Sequence, residues 1–379
     1  MGIDYATARN EDRGPGRHEA VSRLSPYLRR RLVTEPETIA AALAAHGPEQ
    51  AEKFVQEVLW RGYFKGWLER RPQVWAAYAS GLQADLAALR RDPAKAARVE
   101  AAETGKTGID CFDAWTRELT QTGYLHNHAR MWFASIWIFT LGLPWRVGAD
   151  FFFRHLLDGD PASNTCSWRW VAGLHTRGKP YEARAWNITR FTGGRFAPRE
   201  EELAADVTGL MDEEPDGLPE VQPLRPVNAP QAGIPTALVL TEEDCSIGST
   251  EIAPLDIRAA TRLVASGLRS PRPVAGAVKA LEEAALADTA ARAALDTGTL
   301  SALAPDAIAD WAEAAGARQI AMAYVPVGPL GDWLARARPL LQARGITVAE
   351  WRRDWDTLVW PHATAGFFKV KKRRPAILH

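Results

Sequence analysis

Glu57, Trp60, Arg61 and Phe64 recur at steps of three and four in the stretch EVLWRGYF, so a helix there carries a carboxylate, an indole and a guanidinium on one face. That mixture is an unusual choice for a core stripe. The plainer alternative is an amphipathic helix with Trp60 buried and the charges at its rim. Asn127, Arg130 and Met131 repeat the arrangement in LHNHARM, at the start of a run that turns apolar. His126 and His128 flank Asn127 at a spacing of two, which sends their rings to different helix faces and favours surface or hydrogen-bonded roles over a shared metal. In DGDPASNTCSWRW, the residues Asp158, Asp160 and Asn164 resemble a fragment of a calcium loop without the rest of its ligand pattern, and a helix-capping turn is the alternative. Ser22 to Pro26, SRLSP, sets two hydroxyls at a helix N-terminus, where free amides favour a phosphate and where any capped helix looks the same.

The elements that must position these residues are helical throughout the first half. Ser25 and Pro26 read as N-cap and first residue of a helix, and Thr34 with Glu37 reads as a capping box for a second helix that stops at Gly47. Helical spacing resumes from Pro48 to Arg71 and recurs over 110–122, 125–141, 146–157 and 162–173. Residues 213–235 are proline-rich and without apolar period, so they read as a linker between a helical domain, 1–212, and a second domain, 236–379. There the pattern predicts strands at 236–240, 319–325 and 346–351, with helices at 256–267, 274–295, 305–316 and 329–344. Strands alternating with helices imply an α/β layer. The fold class expected is mainly α, an all-helical domain followed by a smaller α/β-like one.

Composition bounds the chemistry. The 379 residues are 46% hydrophobic with zero net charge, which fits a folded protein. Residues 1–200 carry 28 Lys and Arg against 22 Asp and Glu, so any phosphate-facing surface belongs to that half. Cys111, Cys166 and Cys245 are too few and too scattered for a disulfide framework, a CxxC site or a four-thiolate cluster, and no metal is expected. No apolar run approaches a bilayer span and the start lacks a secretory apolar block, which predicts a cytoplasmic protein with no membrane partner. The ending WPHATAGFFKVKKRRP is basic and aromatic, suited either to packing on the body or to touching DNA.

Taken in order, SRLSPYL, EVLWRGYF, TGYLHNHARM and DGDPASNTCSWRW resemble the flavin domain of the DNA photolyase and cryptochrome family, from about Tyr5 to Pro198. The resemblance implies FAD as cofactor. It assigns Tyr5, Arg9 and the turn Ser22, Arg23, Leu24, Ser25 to the pyrophosphate and ribityl region, with Val21 where the family usually has Thr. It lines the cleft with Phe54, Glu57, Arg61, Tyr124 and Asn127, pairs Arg130 with Asp158 over the isoalloxazine edge, and sets Asp160 and Asn164 near the ribityl chain and N5. Trp60 and Trp170 match the aromatic walls for a flipped-out pyrimidine dimer, and Glu57, Asn127 and Met131 match its substrate side. Trp168 and Trp145 match the proximal and middle residues of the tryptophan relay. Ala102 falls at the distal position, leaving Trp115 or Trp137 as other ends of the path.

What the resemblance implies is a light-dependent lyase that repairs cyclobutane pyrimidine dimers in damaged DNA by electron transfer from reduced FAD. The alternative is a cryptochrome-like sensor of blue light or redox state that binds FAD without repair. His126 keeps the six-four lesion open, while His-Asn followed by Arg-Met favours the cyclobutane type. Relatives usually carry an α/β antenna domain ahead of the flavin domain. Here the α/β-like half follows, as an expected rearranged counterpart without a chromophore motif.

Overall fold

A computed structural model describes residues 1–373; Arg374 and Pro375 of the basic ending lie outside the described residues. The chain forms two units, one of Met1–Arg23, Ala42–Glu57 and Arg71–Val221, the other of Leu24–Ala41, Val58–Arg70 and Gln222 onward.

The first unit is helical. Its elements are Ile3–Ala8, Pro72–Arg91, Pro93–Glu103, Asp110–Thr122, Asn127–Ser135 running into a π-turn at Ile136–Thr140, Trp145–His155, Pro161–Val171 and Ala185–Phe191. Caps set their starts: the Asp92 side chain accepts from the Lys95 amide, and the Asp160 side chain accepts from that of Ser163. Gly123 ends the 110–122 helix in the left-handed conformation, which a side chain would strain. The interior is aromatic, with Phe112 stacked on Phe133 at 4.2 Å and Phe152 edge-on to Trp168 at 5.1 Å. Gly148 is required by close approach, since a Cβ there would stand 2.5 Å from the Trp168 ring.

The second unit is built on a five-stranded parallel sheet: β1 (Pro235–Leu240), β2 (Asp256–Val264), β3 (Thr297–Ser301), β4 (Gln319–Ala323) and β5 (Thr347–Trp351), in the order β3-β2-β1-β4-β5. Period-two alternation divides its core: Ala237, Val239, Ile320 and Met322 pack on one face, and Leu238, Leu240, Ala321 and Ala323 on the other. Helices Gly276–Arg292, Ala307–Ala314 and Pro329–Ala343 connect successive strands.

The mainly α architecture with a smaller α/β part is as expected. The helix expected at 256–267 is instead strand β2, and β3 was not anticipated. Asp-Ile-Arg-Ala-Ala-Thr-Arg-Leu-Val has helix-forming Ala and Arg, but pairing on both edges outweighs that local preference. Ser25 is the first residue of a five-residue helix rather than its cap, a role taken by Leu24. The capping box at Thr34 and Glu37 is present, and Gly47, at φ 72°, breaks helical geometry within Glu35–Glu69.

Candidate functional site

In the first unit the short helix Ile3–Ala8 and its C-cap bring Tyr5 and Arg9 to the segment carrying Phe54 and Glu57. The Tyr5 ring meets Phe54 edge-on at 5.3 Å, and Arg9 donates to the Glu57 carboxylate at 2.9 Å. Both members of that pair keep about a third of their side-chain surface open, 27% and 34%. Burial raises the Glu57 carboxyl above its ordinary range against the opposing pull of Arg9 and Lys53, and raises the Tyr5 phenol as well, aided by Glu57.

Arg130 projects from the first turn of Asn127–Ser135. Its Nη2 donates to Asp158 at 2.8 Å, its Nε donates to the Leu125 carbonyl at 2.8 Å, and its guanidinium lies over the Tyr124 ring. Asn127 is exposed at the start of that helix and Met131 is half-buried one turn on. Asp160 accepts the Ser163 amide, so it acts as the cap of the next helix. On that helix Asn164 is buried and spends its amide N–H on the Ala149 carbonyl at 2.8 Å, which leaves its oxygen as the acceptor. Ser22 and Arg23 follow a bend at Val21, and Arg23 takes φ 52°, an uncommon conformation for a residue with a side chain. Trp170 is half-buried and tilted on Tyr181 at 5.3 Å.

Leu24, Ser25, Trp60 and Arg61 belong to the second unit. There Trp60 is stacked on Phe367, rings 3.9 Å apart and 9° from parallel, and Arg61 stands 3.8 Å from Glu35. The expectation that Trp60 offers an open wall to a flipped base is therefore corrected on one face, which the chain's own ending covers. Phe367 is buried while Phe368 is exposed, so the basic aromatic ending both packs on the body and leaves a ring in solvent.

Trp168 and Trp145, the two tryptophans expected to form a relay, are buried in the first unit. Trp168 lies edge-to-face with Trp137 at 6.4 Å, and Trp145 donates its indole N–H to Glu213 at 3.1 Å beneath the Arg146 guanidinium. Trp115 stacks instead on Trp132. His126 and His128 are hydrogen-bonded to the Arg9 and Asn10 carbonyls. Among the described residues no group of three His, Cys, Asp or Glu is placed to hold a metal. No helix there is long and apolar enough to cross a membrane.

Two anchors of this region escaped sequence reasoning. Asp12, fully buried, accepts from the Gly14 amide, the Trp115 indole and Arg195. His18 and Glu118, both buried, meet at 3.1 Å. Each joins residues about a hundred or more positions apart, and only the Asp-x-Gly turn left a local trace.

Residues 54–199 match the family described as FAD binding domain of DNA photolyase. The deoxyribodipyrimidine photo-lyase of Streptomyces griseus is 36% identical over 165 residues, 43% of this chain and 34% of that protein. That of Thermus thermophilus is 37% identical over 180 residues, 46% of this chain and 40% of that protein. The chain thus spans well under half the length of these curated relatives. Among solved structures, a class III photolyase from Agrobacterium tumefaciens is 28% identical with a TM-score of 0.41, and a cryptochrome from Synechocystis sp. PCC6803 is 25% identical with a TM-score of 0.42. Each covers 50% of this chain and 39% of the other.

The residues present suit FAD. Arg9, Arg23 and Arg130, all partly open to solvent, supply positive charge for a diphosphate and an anionic ring, and the Asn164 oxygen offers an acceptor rather than an acidic proton.

Proposed function

Because the chain belongs to the photolyase and cryptochrome family through its FAD-binding domain, we propose that it repairs cyclobutane pyrimidine dimers in DNA under light. The observation that carries this reading is Glu57, a half-buried side chain held at 2.9 Å by Arg9, its carboxyl raised above the ordinary range by burial. A pyrimidine dimer that gains an electron concentrates negative charge on its carbonyl oxygens. The Arg9 guanidinium fixed by Glu57 supplies positive charge as that charge develops. Bound and reduced, FAD supplies the photoexcited electron. Tyr5, Arg9, Ser22, Arg23, Phe54, Tyr124, Arg130, Asp158, Asp160 and Asn164, all of the first unit, are the residues we assign to holding it. Asn127 and Met131, an exposed amide and a thioether one turn apart, are assigned to the lesion, with Trp170 as an aromatic wall.

The second reading, sensing of light or redox state without repair, is favoured by the Phe367 ring covering Trp60. The parallel sheet of the second unit we take as a rearranged counterpart of the family's antenna domain, on the strength of its doubly wound strand order. In such sheets ligands enter beyond the carboxyl ends of the strands where the order reverses, here after β1 and β4. The residues after β1, Glu242 to Asp244, are buried and paired with Arg29, Arg30 and Arg31, so the chain's own arginines take up that position.

The deciding experiment illuminates the flavin-loaded, chemically reduced protein with dimer-containing DNA. Dimer loss is expected, and Glu57→Gln should slow it about tenfold, near 1.4 kcal/mol, with flavin retained. Intact dimers with fully reduced FAD would leave the sensing reading standing in its place.

A further inference from the structure

We infer that the electron relay of this chain ends at Trp145 and that Glu213 is the base which takes the indole proton of oxidised Trp145. The inference rests on the flavin reading above. Its starting point is Ala102, buried at the position where the family's distal tryptophan stands, which leaves the relay one residue short of its usual exit. A shortened relay works only if the oxidised end cannot simply recover its electron. Loss of a proton achieves that, because an oxidised indole is a far stronger acid than a neutral one and the neutral radical left behind is a weaker oxidant.

The surroundings of the aromatic rings single out Trp145. Its ring is buried, yet its N–H donates at 3.1 Å to the Glu213 carboxylate, whose side chain is 38% exposed. The acceptor is therefore in contact with the reacting atom and with water at once. Arg146 lies 2.9 Å from the same oxygen and also 3.4 Å from Asp85, and its guanidinium stands over the indole. That cation holds Glu213 in place. Trp168, the proximal residue, has its ring edge against Gly148, one helical turn from Trp145.

Trp137, Trp132 and Trp115 lack this combination. Trp137 donates to the Pro144 carbonyl, which is too weak a base to keep a proton. Trp132 donates to the Asn187 carboxamide oxygen for the same outcome. Trp115 does meet a carboxylate, Asp12, but that group is fully buried and already holds Arg195.

The step balances as follows. An electron leaves Trp168 toward the cofactor, and Trp145 replaces it. The N–H bond of oxidised Trp145 breaks, its electron pair remaining on nitrogen, and the proton forms an O–H bond on Glu213, which releases it to water. A thiol reductant in solution later returns one electron and one proton to Trp145.

The test is laser-flash absorption and electron paramagnetic resonance on the flavin-loaded protein, which report cationic and neutral tryptophan radicals separately. The wild type should form a neutral radical that Trp145→Phe abolishes. Glu213→Gln should slow its appearance by about 100-fold and leave the cationic form to recombine, while Glu213→Asp restores much of the neutral yield. Circular dichroism checks that each variant is folded. Deprotonation unchanged in Glu213→Gln overturns the assignment, as does loss of the radical in Trp137→Phe with Trp145→Phe unaffected. A wild type with bound flavin and no tryptophan radical overturns the inference while leaving cofactor binding intact; a protein that takes up no flavin overturns both.

Discussion

Two groups of ion pairs, one in each unit, use the same residue types in opposite ways. In the first, Arg9 with Glu57 and Arg130 with Asp158 stay partly solvated, with 24% to 34% of the side chain open on three of the four partners. In the second, Arg29, Arg30, Arg31 and Arg269 meet Glu242, Glu243, Asp244 and Asp356 with no side chain more than 8% exposed. An arginine and a carboxylate that keep water can exchange it for a ligand. The same pair sealed from water has its hydrogen bonds committed and serves as a clamp whose loss leaves a bare buried charge. The difference separates a candidate binding region from a structural one more sharply than residue identity does.

The largest effect should come from breaking the sealed network. Asp244 accepts from Arg31 and Arg353, and these cations hold its carboxyl at about 2 although burial pushes the other way. Asp244→Ala takes one partner from each of two guanidiniums, leaving Arg31 with Asp356 and Arg353 with Glu251, and should cost roughly 3 kcal/mol in urea unfolding. Asp244→Asn, which keeps the shape, should cost less. A loss under about 1 kcal/mol would mean that water reaches this cluster and that the contrast between the units is one of degree.

That contrast was only half legible in the sequence. Local signals announced themselves: the Thr34 and Glu37 box, the break at Gly47, the apolar run of β1 and the run of Arg130 into an apolar helix. Each depends on neighbours within a few residues. The Arg29 to Arg31 cluster finds its carboxylates more than two hundred positions away, and nothing in either stretch marks the other as partner. Strand β2 was hidden because its Ala and Arg content suits a helix until a sheet edge is present to pair with it. Glu213 lay inside what reads as linker, and only its bond to Trp145 gives it a role.

A second difference concerns acid. His126 is buried against the Arg9 carbonyl, which can only accept, so its Nε2 carries the proton and its Nδ1 accepts the His128 amide. Burial chiefly lowers its pKa to about 4, below the ordinary 6.5. The unfolded chain therefore takes up a proton that the folded one refuses. Stability is full above pH 6.5 and falls between 6.5 and about 4, by on the order of 2–3 kcal/mol. Asp244 works in a lower window: its contribution is full above about pH 4 and falls only as the pH drops toward 2. Hydrogen exchange followed by mass spectrometry from pH 7 to 5 should thus open residues 124–135 before β1 and β4, and His126→Gln should flatten that slope. Equal opening of both regions would remove histidine as the cause.

The smallest effect on stability, and the most telling for the comparison, is expected at Arg130. Its bond to Asp158 is open on the Arg130 side only, 24% against 6%, so Arg130→Ala should cost the fold about 1 kcal/mol. Flavin retention should suffer more, by roughly 2 kcal/mol or some thirtyfold in Kd, because a charge-assisted contact to the ligand goes with it. Arg130→Lys keeps the charge but not the planar fork that reaches Asp158 and the Leu125 carbonyl together, so it should recover only part of the affinity. Flavin titration by fluorescence quenching, paired with urea unfolding of the flavin-free protein, measures both numbers on the same variants. If stability falls steeply while flavin affinity holds, the Arg130 pair is a clamp like those of the second unit, and the solvated pairs do not mark the ligand.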